Sequence, residues 1–544
     1  MPFRHPTAMN AQQLQHLYWR AGFGPRPQDV AANLSPSKVL RQLLHEARAY
    51  EPIPSSSLAA FQDPMGAVMA VPAGAPTPPP GGMAAGPAAA PPAPASSAQP
   101  GTANPAGPTP PLAAVDALRP RSMLATRRQG LPQLRRADLT PEQRKMQNMG
   151  IRDAFIGMST AWMAKMTTSP GQLREKVALF WHGHFACRTR RPDDSLALLN
   201  TIREHALGKF PDLLLAVSQE PAMLQFLNNQ QNRKEHPNEN FAREVMELFT
   251  LGRGNYTETD VKEAARAFTG WGYDGQSRFV FKERQHDAGS KTLLGQTGNF
   301  GGADALRIIM QQPAASTFLV TKLYRFFVND VPDPAHIAPL AVAFRQSGYD
   351  VSDLLERLFS ADWFYAPANM GSLIKSPVAL VAGLRRTLNL KVDNDKQLLG
   401  YQKALGQTLF MPPNVAGWPG GRAWIDSSSL LLRLQLPSIL FRNAEFALRL
   451  KDDENDITPQ TTGKERLVKN TETTHLPLGP IQQLLGAAPP AQQPQLLAGF
   501  LLQSPLRPEN LALVQQAAAK AATPEERLKN TLVSLLSLPE YQLA

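Results

Sequence analysis

The sequence contains a single cysteine, Cys187. An intrachain disulfide therefore cannot form, and a zinc site built from several cysteines is excluded. No stretch approaches the roughly 18 apolar residues of a transmembrane helix, and the N-terminal segment MPFRHPTAMN lacks the apolar core of a signal peptide. We expect a cytoplasmic protein without a membrane span, while export together with a signal-bearing partner stays open.

Several common catalytic signatures are also missing. The sequence contains no Walker A loop, no G-x-G-x-x-G after a predicted strand, no G-x-S-x-G and no H-E-x-x-H. Nucleotide-dependent enzymes and the common hydrolases are therefore disfavoured. The sequence leaves open whether the protein is an enzyme.

Positive charge, in contrast, is present in excess. The chain has 56 Lys and Arg residues against 45 Asp and Glu residues, a formal net charge of +11. Such a balance favours an acidic partner. Much of the excess comes from one run between Arg119 and Lys145, which is typical of a solvated linker. Binding of an acidic polymer through this run is a weaker hypothesis, and nucleic acid is disfavoured as a partner.

Composition divides the 544 residues into five parts. Residues 1–50 hold two short helical patterns and are expected to pack on the main domain. Residues 51–113 are so rich in Pro, Ala, Gly and Ser that we expect a disordered insert. Residues 114–450 form the main helical domain, residues 451–475 a polar linker, and residues 476–544 a C-terminal helical segment.

Helical periodicity dominates outside the insert and the linker. We predict a mainly α fold, a multi-helical globular array with one small β-hairpin. Thr140 and Ser169 each precede a proline and, three positions on, a glutamine, which predicts two capped helix starts. The alternating segment 278–282 is predicted to pair with segment 291–294 as the hairpin.

The helix around Glu244 is the most informative segment. Apolar residues recur at helical spacing between Phe241 and Phe249, with Leu248 among them, and predict a buried stripe. Glu244 and Glu247 lie beside this stripe, and two carboxylates so placed are suited to acid–base chemistry. The alternative is that both are boundary residues paired with nearby arginines.

Three histidines could hold a metal ion. His182 and His184 flank Gly183 at the end of an apolar helix, and His286 precedes Asp287 in a glycine-containing turn. Imidazole and carboxylate together suit zinc, iron or manganese. In a continuing helix, however, the first two histidines would point about 200° apart. Capping, or a satisfied histidine in the core, is the alternative.

A proline- and glycine-rich loop from Met411 to Arg422 carries Asn414 and Trp418, and Trp424 follows it. A rigid aromatic loop of this kind is typical of a platform for a sugar or a peptide. Close packing of the two large side chains is the alternative explanation.

These motifs taken together closely resemble the bacterial family called domain of unknown function 1800. The resembling segments are HLYWRAGFGP from His16, WHGHF from Trp181, NFAREVMELFTLGRGNYTETDVKEAARAFTGW from Asn240, HDAGSKTLLG from His286, LIKSPVAL from Leu373 and PPNVAGWPGGRAWIDSSSLLLR from Pro412. The resemblance covers nearly the whole chain apart from the insert. It implies a helical protein and, as a partner, a co-encoded protein similar to sulfatases and alkaline phosphatases, but it implies no catalytic residue.

Two main hypotheses follow. The first is a metal-assisted enzyme, hydrolytic or oxidative, acting on an anionic or polymeric substrate with a divalent transition metal as cofactor. Its residues are His182, His184 and His286 for the metal, Glu244, Glu247 and Asp287 for catalysis, and Arg243, Lys291, Asn414, Trp418 and Trp424 for the substrate. The second is a non-catalytic helical scaffold or partner protein in which these side chains form a bonded network. The first hypothesis requires the motifs to meet in space.

Overall fold

Helices make up most of the computed structural model, which describes residues 8–61, 139–392, 395–442, 446–448, 466–468 and 474–544. The α-helices of this part of the chain are α1 Ala8–Ala21, α2 Pro27–Ala31, α3 Pro36–Glu46, α4 Pro141–Thr168, α5 Gln172–His184, α6 Pro192–His205, α7 Phe210–Ser218, α8 Pro221–Phe226, α9 Glu239–Glu244, α10 Glu258–Ala267, α11 Gly302–Met310, α12 Pro313–Phe327, α13 Pro334–Gln346, α14 Val351–Ser360, α15 Pro377–Thr387, α16 Lys396–Ala404, α17 Ser427–Arg442, α18 Gly479–Leu485, α19 Gln493–Leu501, α20 Pro508–Ala519 and α21 Pro524–Leu536. The predicted mainly α class is confirmed.

The strands are short and pair only two at a time. Their bounds are β1 Trp271–Tyr273, β2 Phe279–Phe281, β3 Lys291–Leu293, β4 Gln296–Gly298, β5 Lys391–Val392, β6 Phe446–Leu448, β7 Arg466–Val468 and β8 Thr474–His475. The antiparallel pairs are β1 with β2, β3 with β4, β5 with β8 and β6 with β7.

The predicted pairing of segments 278–282 and 291–294 is wrong. Phe281 lies opposite Trp271, and Lys291 lies opposite Gly298. Leu294 and Gly295 both have positive φ, as the tight turn of a local hairpin requires. Pairing across such a turn closes a shorter loop than the predicted pairing and costs less chain entropy.

One of the two predicted helix caps is present. The Thr140 hydroxyl accepts a hydrogen bond from the Gln143 backbone N–H, and the Gln143 side chain bonds back to the Thr140 N–H. The cap predicted at Ser169 is wrong, because Ser169 ends α4 and its hydroxyl accepts from the Gly171 N–H. The glutamine of that motif, Gln172, accepts instead from the Phe23 N–H, a partner remote in sequence.

The first residues of the predicted insert are folded. Ser55–Phe61 forms a 3-10 helix, and Ile53 and Leu58 are buried in the core. The Ile53 backbone is bonded through both its N–H and its carbonyl to the Asn200 side chain. The insert therefore begins later than residue 51. Its remainder and most of the predicted linker 451–475 lie outside the described residues.

Two groups of buried apolar side chains fill the interior of the described residues. The larger one draws on helices α3 to α14 and the smaller one on α16 to α21. Helices α1 and α15 contribute to both, since Leu17 and Val378 belong to the first group and Trp19 and Leu380 to the second. A boundary between two cores thus runs along α1 and α15.

In the described part of the chain, no helix combines the length and the apolar character that crossing a membrane would need.

Candidate functional site

His182 is buried among aromatic rings. Its Nε2 accepts the Phe410 backbone N–H at 3.1 Å, and the rings of Trp162 and Trp418 lie 5.1 and 5.6 Å away. Burial lowers the pKa of His182 to about 4. The imidazole is therefore neutral near pH 7. The lone pair of its Nε2 is already engaged in the hydrogen bond from the Phe410 N–H.

His184 faces a different part of the interior, because α5 continues through both histidines. Its Nε2 lies 3.1 Å from the Phe249 carbonyl oxygen. Burial, and then the nearby Lys322 charge, lower the pKa of His184 well below its usual range. The two histidines therefore do not share a ligand.

The helix around Glu244 changes its winding. Residues Val245–Thr250 form a π-helix, and Leu248 is only half-buried while Met246 is buried. The predicted stripe is thus correct at its ends and wrong at Leu248, because a π turn shifts the following side chains around the helix axis.

The carboxylates and the arginine of this helix have neighbours on the protein. Glu247 bonds Arg253 and the Tyr256 hydroxyl, while Arg243 pairs with Glu239 and Glu258. Partial burial, and then the Glu247 charge, raise the pKa of Glu244. This pattern agrees with the boundary-residue alternative for Glu247, which is held in an ion pair, whereas Glu244 forms no salt bridge within the described residues.

The His286 turn forms its own small network. The His286 Nδ1 donates to the Thr269 carbonyl at 2.9 Å, and Asp287 pairs with Arg266 at 2.7 Å. The hydrogen bond from Arg266 is the main cause that lowers the pKa of Asp287. Lys291 is 1% exposed, and its ammonium donates to the carbonyls of Asp287 and Gly289.

The motifs therefore converge only in part. His184 contacts the helix around Glu244, and His182 contacts the loop through Trp418. Among the described residues, no three His, Cys, Asp or Glu side chains are grouped so that they could hold a metal ion. The six residues predicted for the metal and for catalysis are not brought together as one metal site.

The loop of residues 411–424 packs closely on other elements. A Cβ at Gly417 would lie 2.4 Å from the Gly183 carbonyl oxygen, and a Cβ at Gly421 would lie 2.6 Å from an Asp330 carboxylate oxygen. Trp424 is buried, which favours its packing role, whereas Trp418 is half-buried. Asn414 is exposed, and its side chain accepts from the Ala416 N–H.

A group of basic side chains that the sequence analysis missed lies at the boundary between the two cores. Arg20 is on α1, Lys176 on α5, Lys375 just before α15, and Arg433 on α17. Their exposed fractions are 1, 7, 2 and 1% respectively. We refer to these four residues as the buried basic cluster.

The two lysines of the cluster are held by carbonyls and aromatic rings. The Lys375 ammonium donates to the Tyr541 carbonyl at 2.6 Å and lies 3.5 Å from the Trp19 ring and 3.8 Å from the Tyr541 ring. Lys176 donates to the Trp19 carbonyl at 3.2 Å and lies over the Phe23 ring. Both cations are thus anchored to α1 or to the C-terminal segment.

Arg20 lies close enough to Lys176, and Lys176 and Arg433 to Lys375, to disfavour the charge of the two lysines. Burial, and then Arg20, lower the pKa of Lys176 to about 7. Burial, and then Lys176 and Arg433, lower the pKa of Lys375 well below its usual range. Burial also lowers the pKa of Arg20 to about 9 and that of Arg433 to about 10. Both guanidinium groups nevertheless stay charged near pH 7.

Acidic compensation is weak around this cluster. Asp330 acts on the charge of Arg20 and Asp426 on that of Arg433, and both aspartates are exposed. Within the described ranges, no salt bridge involves any of the four cations. The interior therefore holds an excess of positive charge.

Four guanidinium donors of the cluster also lack acceptors. Nε and Nη2 of Arg433, and Nε and Nη1 of Arg20, are buried without a hydrogen-bond partner among the described residues. Other buried arginines differ: Arg174 and Arg386 donate to several carbonyls, and Arg203 pairs with Glu175. Since buried donors are normally satisfied, the free donors call for an acceptor that these residues do not supply.

A signal for this cluster was present in the sequence. Lys176 lies inside the apolar pattern of α5, and Arg20 directly follows Leu17, Tyr18 and Trp19. A basic residue at such a position is the informative exception to apolar burial. Arg20, Lys375 and Arg433 also lie within segments that carry the family resemblance.

The comparisons with known proteins give one match. A family model described as "Protein of unknown function (DUF1800)" matches residues 16–543. No curated protein and no solved structure matches the chain.

Proposed function

We propose that this chain, which belongs to the DUF1800 family, binds a small anionic molecule in its interior, at the buried basic cluster. The observation that carries this proposal is the set of free guanidinium donors on Arg20 and Arg433. They lie in a group of four buried cations that form no salt bridge within the described residues.

The physical argument starts from the cost of buried charge. A cation in the interior without a counter-ion is strongly unfavourable. A lysine can lose its proton there, but a guanidinium cannot at neutral pH. A bound anion would offset this cost, because charges attract more strongly in the interior than in water.

Arg433 is suited to be the main anchor. Its Nη1 donates to the Lys375 carbonyl at 3.0 Å, which fixes the guanidinium plane. The free Nε and Nη2 lie along one edge of that plane. Such an edge donates two parallel hydrogen bonds to a carboxylate or a phosphate group.

The route to the cluster would pass beside the loop of residues 411–424. Asp330 and Asp426, which act on the charges of Arg20 and Arg433, are exposed, so the cluster approaches the surface near them. Gly421 packs against the Asp330 carboxylate. Entry of a ligand would therefore require this part of the loop to move.

The test is calorimetric titration of the full chain with inorganic phosphate at constant ionic strength. We expect saturable binding that weakens roughly 10- to 100-fold in Arg433→Met, because a hydrogen bond to a charged group is lost. Lys322→Met is the matched control: Lys322 is a half-buried lysine, bonded to the Leu248 carbonyl, and it is not among the charges that act on the cluster. Absence of saturable binding, or equal affinity in both variants, would contradict the proposal.

A helical scaffold is the second candidate, and the ion pairs of the signature residues support it. Arg243, Arg253 and Arg266 each pair with a glutamate or an aspartate on the same or a neighbouring segment. Under this hypothesis Arg266→Met should lower the free energy of unfolding and leave phosphate binding unchanged. An unchanged free energy of unfolding would count against the scaffold hypothesis.

The metal-assisted enzyme stays a prediction.

A further inference from the structure

We infer that the ligand of the buried basic cluster is a small zwitterion, whose anionic group binds the arginines and whose cationic group binds Asp330. The inference rests on the proposed function and narrows it to a class of ligand. It starts from the segment of residues 328–331, which is bonded to the same two residues that hold Arg20.

The Arg20 guanidinium is fixed through one of its three nitrogens. Its Nη2 donates to the Asn369 carbonyl at 2.6 Å and to the Ser372 hydroxyl at 3.0 Å. Its Nε and Nη1 have no hydrogen-bond partner among the described residues. The group is therefore held in place while two of its nitrogens can still donate to a ligand.

Asp330 is brought close to Arg20 by its neighbours in the chain. The Asn329 side chain donates to the Asn369 side-chain oxygen at 3.0 Å, and the Asn369 carbonyl accepts the bond from Arg20. Ser372, the other partner of Arg20, donates to the backbone carbonyl that precedes Asn329. The charges act on each other accordingly: burial lowers the pKa of Arg20 to about 9, and the Asp330 carboxylate opposes this shift.

The Asp330 carboxylate is itself free to bind a cationic group. Asp330 is exposed, and it forms no salt bridge within the described residues. A Cβ at Gly421 would lie 2.6 and 3.2 Å from its two carboxylate oxygens, so the loop of residues 411–424 bounds the carboxylate on that side. The carboxylate is thus kept near the guanidinium without being neutralised in an ion pair.

A simple anion in this place would be attracted and repelled at once. If it accepts from the free donors of Arg20, it lies near the Asp330 carboxylate, and like charges placed close together lower the affinity. A cationic group on the same ligand turns this repulsion into attraction, because an ammonium donates charge-assisted hydrogen bonds to a carboxylate.

The ligand class that satisfies both charges is a small zwitterion, such as a phosphorylated amine. Asp330 would then be the specificity-determining residue, since it favours the zwitterion and disfavours the simple anion. The arginines of the buried basic cluster would supply the affinity for the anionic group.

Two probes of the same shape test this inference in titration calorimetry of the full chain at constant ionic strength. Phosphoethanolamine and propyl phosphate share a phosphate group and a chain of the same length, and the ammonium of the first replaces the terminal methyl of the second. We expect phosphoethanolamine to bind the wild-type chain roughly 5- to 10-fold more tightly. This comparison needs no variant to fold.

Asp330→Asn removes the carboxylate and keeps the size of the side chain. This variant should bind phosphoethanolamine more weakly than the wild type and propyl phosphate more tightly, because the attraction and the repulsion are both lost. Asp212→Asn is the matched control: it makes the same change of charge at an exposed position on α7, which contributes no residue to the cluster. It should keep the preference of the wild type.

The outcomes separate the two proposals. Equal affinity of the wild-type chain for both probes would overturn the inference of a zwitterion and leave anion binding in place. A preference for phosphoethanolamine that is as large in Asp330→Asn as in Asp212→Asn would overturn the role of Asp330. If neither probe binds, both proposals fail, and the unpartnered guanidinium atoms hold water only.

Discussion

At the scale of single residues, the interior holds two kinds of buried charge. Glu175 and Arg203 are both about 2% exposed and pair at 2.7 Å, and the Trp162 indole N–H donates to the same carboxylate. Arg20 and Arg433 are buried as deeply, but their free donors form no hydrogen bond to a carboxylate among the described residues. The Glu175–Arg203 ion pair is accounted for by its contribution to stability. The free donors of Arg20 and Arg433 are accounted for by a bound ligand, as we propose.

The paired charges give a stability prediction. Arg203→Met should lower the free energy of unfolding by about 3–5 kcal/mol, because it leaves the Glu175 carboxylate charged and uncompensated in the interior. The double variant Glu175→Gln, Arg203→Met should be more stable than the single one. Urea unfolding at neutral pH measures both. A double variant that is less stable than the single variant would contradict this account.

Lys176 gives a prediction on pH dependence. Its pKa is about 7 in the folded chain, below the ordinary value of 10.5. Between these two values the unfolded chain binds more protons than the folded chain, so this lysine makes the free energy of unfolding rise with pH. Its destabilising effect is fully present below about pH 7.

Lys176→Met should therefore stabilise the ligand-free chain most below about pH 7, and its advantage over the wild type should shrink as the pH rises toward 10.5. Burial lowers the pKa of Arg20, the neighbouring charge that acts on Lys176, to about 9, so the clearest comparison lies below that pH. Urea unfolding of both chains across this range is the measurement. A stability difference that is independent of pH would refute the assignment.

At the scale of elements, local winding decides which side chains face the core. In the π-helix of residues 245–250, the Leu251 N–H bonds the Met246 carbonyl five residues back, and the Thr250 hydroxyl bonds the Val245 carbonyl. These bonds between residues five apart widen the turn, and Met246 is buried there whereas Leu248 is only half-buried against the core. A regular helical pattern could not have predicted the exchange.

The loop of residues 411–424 offers a matched pair of glycine substitutions. Gly417 has φ +83°, and a Cβ there would meet the Gly183 carbonyl oxygen. Gly420 has a negative φ, and a Cβ added to it would have no other atom within 4 Å. Gly417→Ala should lower the free energy of unfolding by more than about 1 kcal/mol, since it adds a strained φ and a backbone clash. Gly420→Ala should have little effect. Thermal unfolding followed by tryptophan fluorescence compares them, and equal midpoints would speak against close packing of this loop.

At the scale of the whole molecule, the buried basic cluster joins parts of the chain that belong to different cores. Leu17 and Val378 pack in the larger core, while Trp19 and Leu380 pack in the smaller one. The cluster lies between them and draws a residue from α1, α5 and α17. A ligand bound there would connect both cores.

This arrangement predicts a pattern of hydrogen exchange. Inorganic phosphate should slow amide exchange in α1, α5, α17 and residues 541–544 together, because opening any of them would release the ligand. Helix α10, which contributes no residue to the cluster, serves as the control region. Mass spectrometry measures the deuterium uptake of these segments with and without phosphate. Slower exchange in only one of these elements would be incompatible with a shared site.

The sequence by itself determined what depends on neighbours along the chain. The mainly helical class follows from apolar periodicity, and the cap at Thr140 follows from side chains three residues apart. The single cysteine excluded intrachain disulfides, and the ordered motifs indicated the family that the match over residues 16–543 establishes. The prediction also singled out His182 and the residues around Glu244, but it could not decide whether they meet.

Only the tertiary structure decided which remote groups become neighbours. The cap at Ser169 was not formed because Gln172 bonds Phe23, and β3 found a nearer partner than β2. Arg20 and Arg433 are 413 positions apart in the sequence (433 − 20), so no local spacing relates them. Their shared burial arises where two cores meet along α1 and α15, and the physical cost of burying charge makes this place the candidate site.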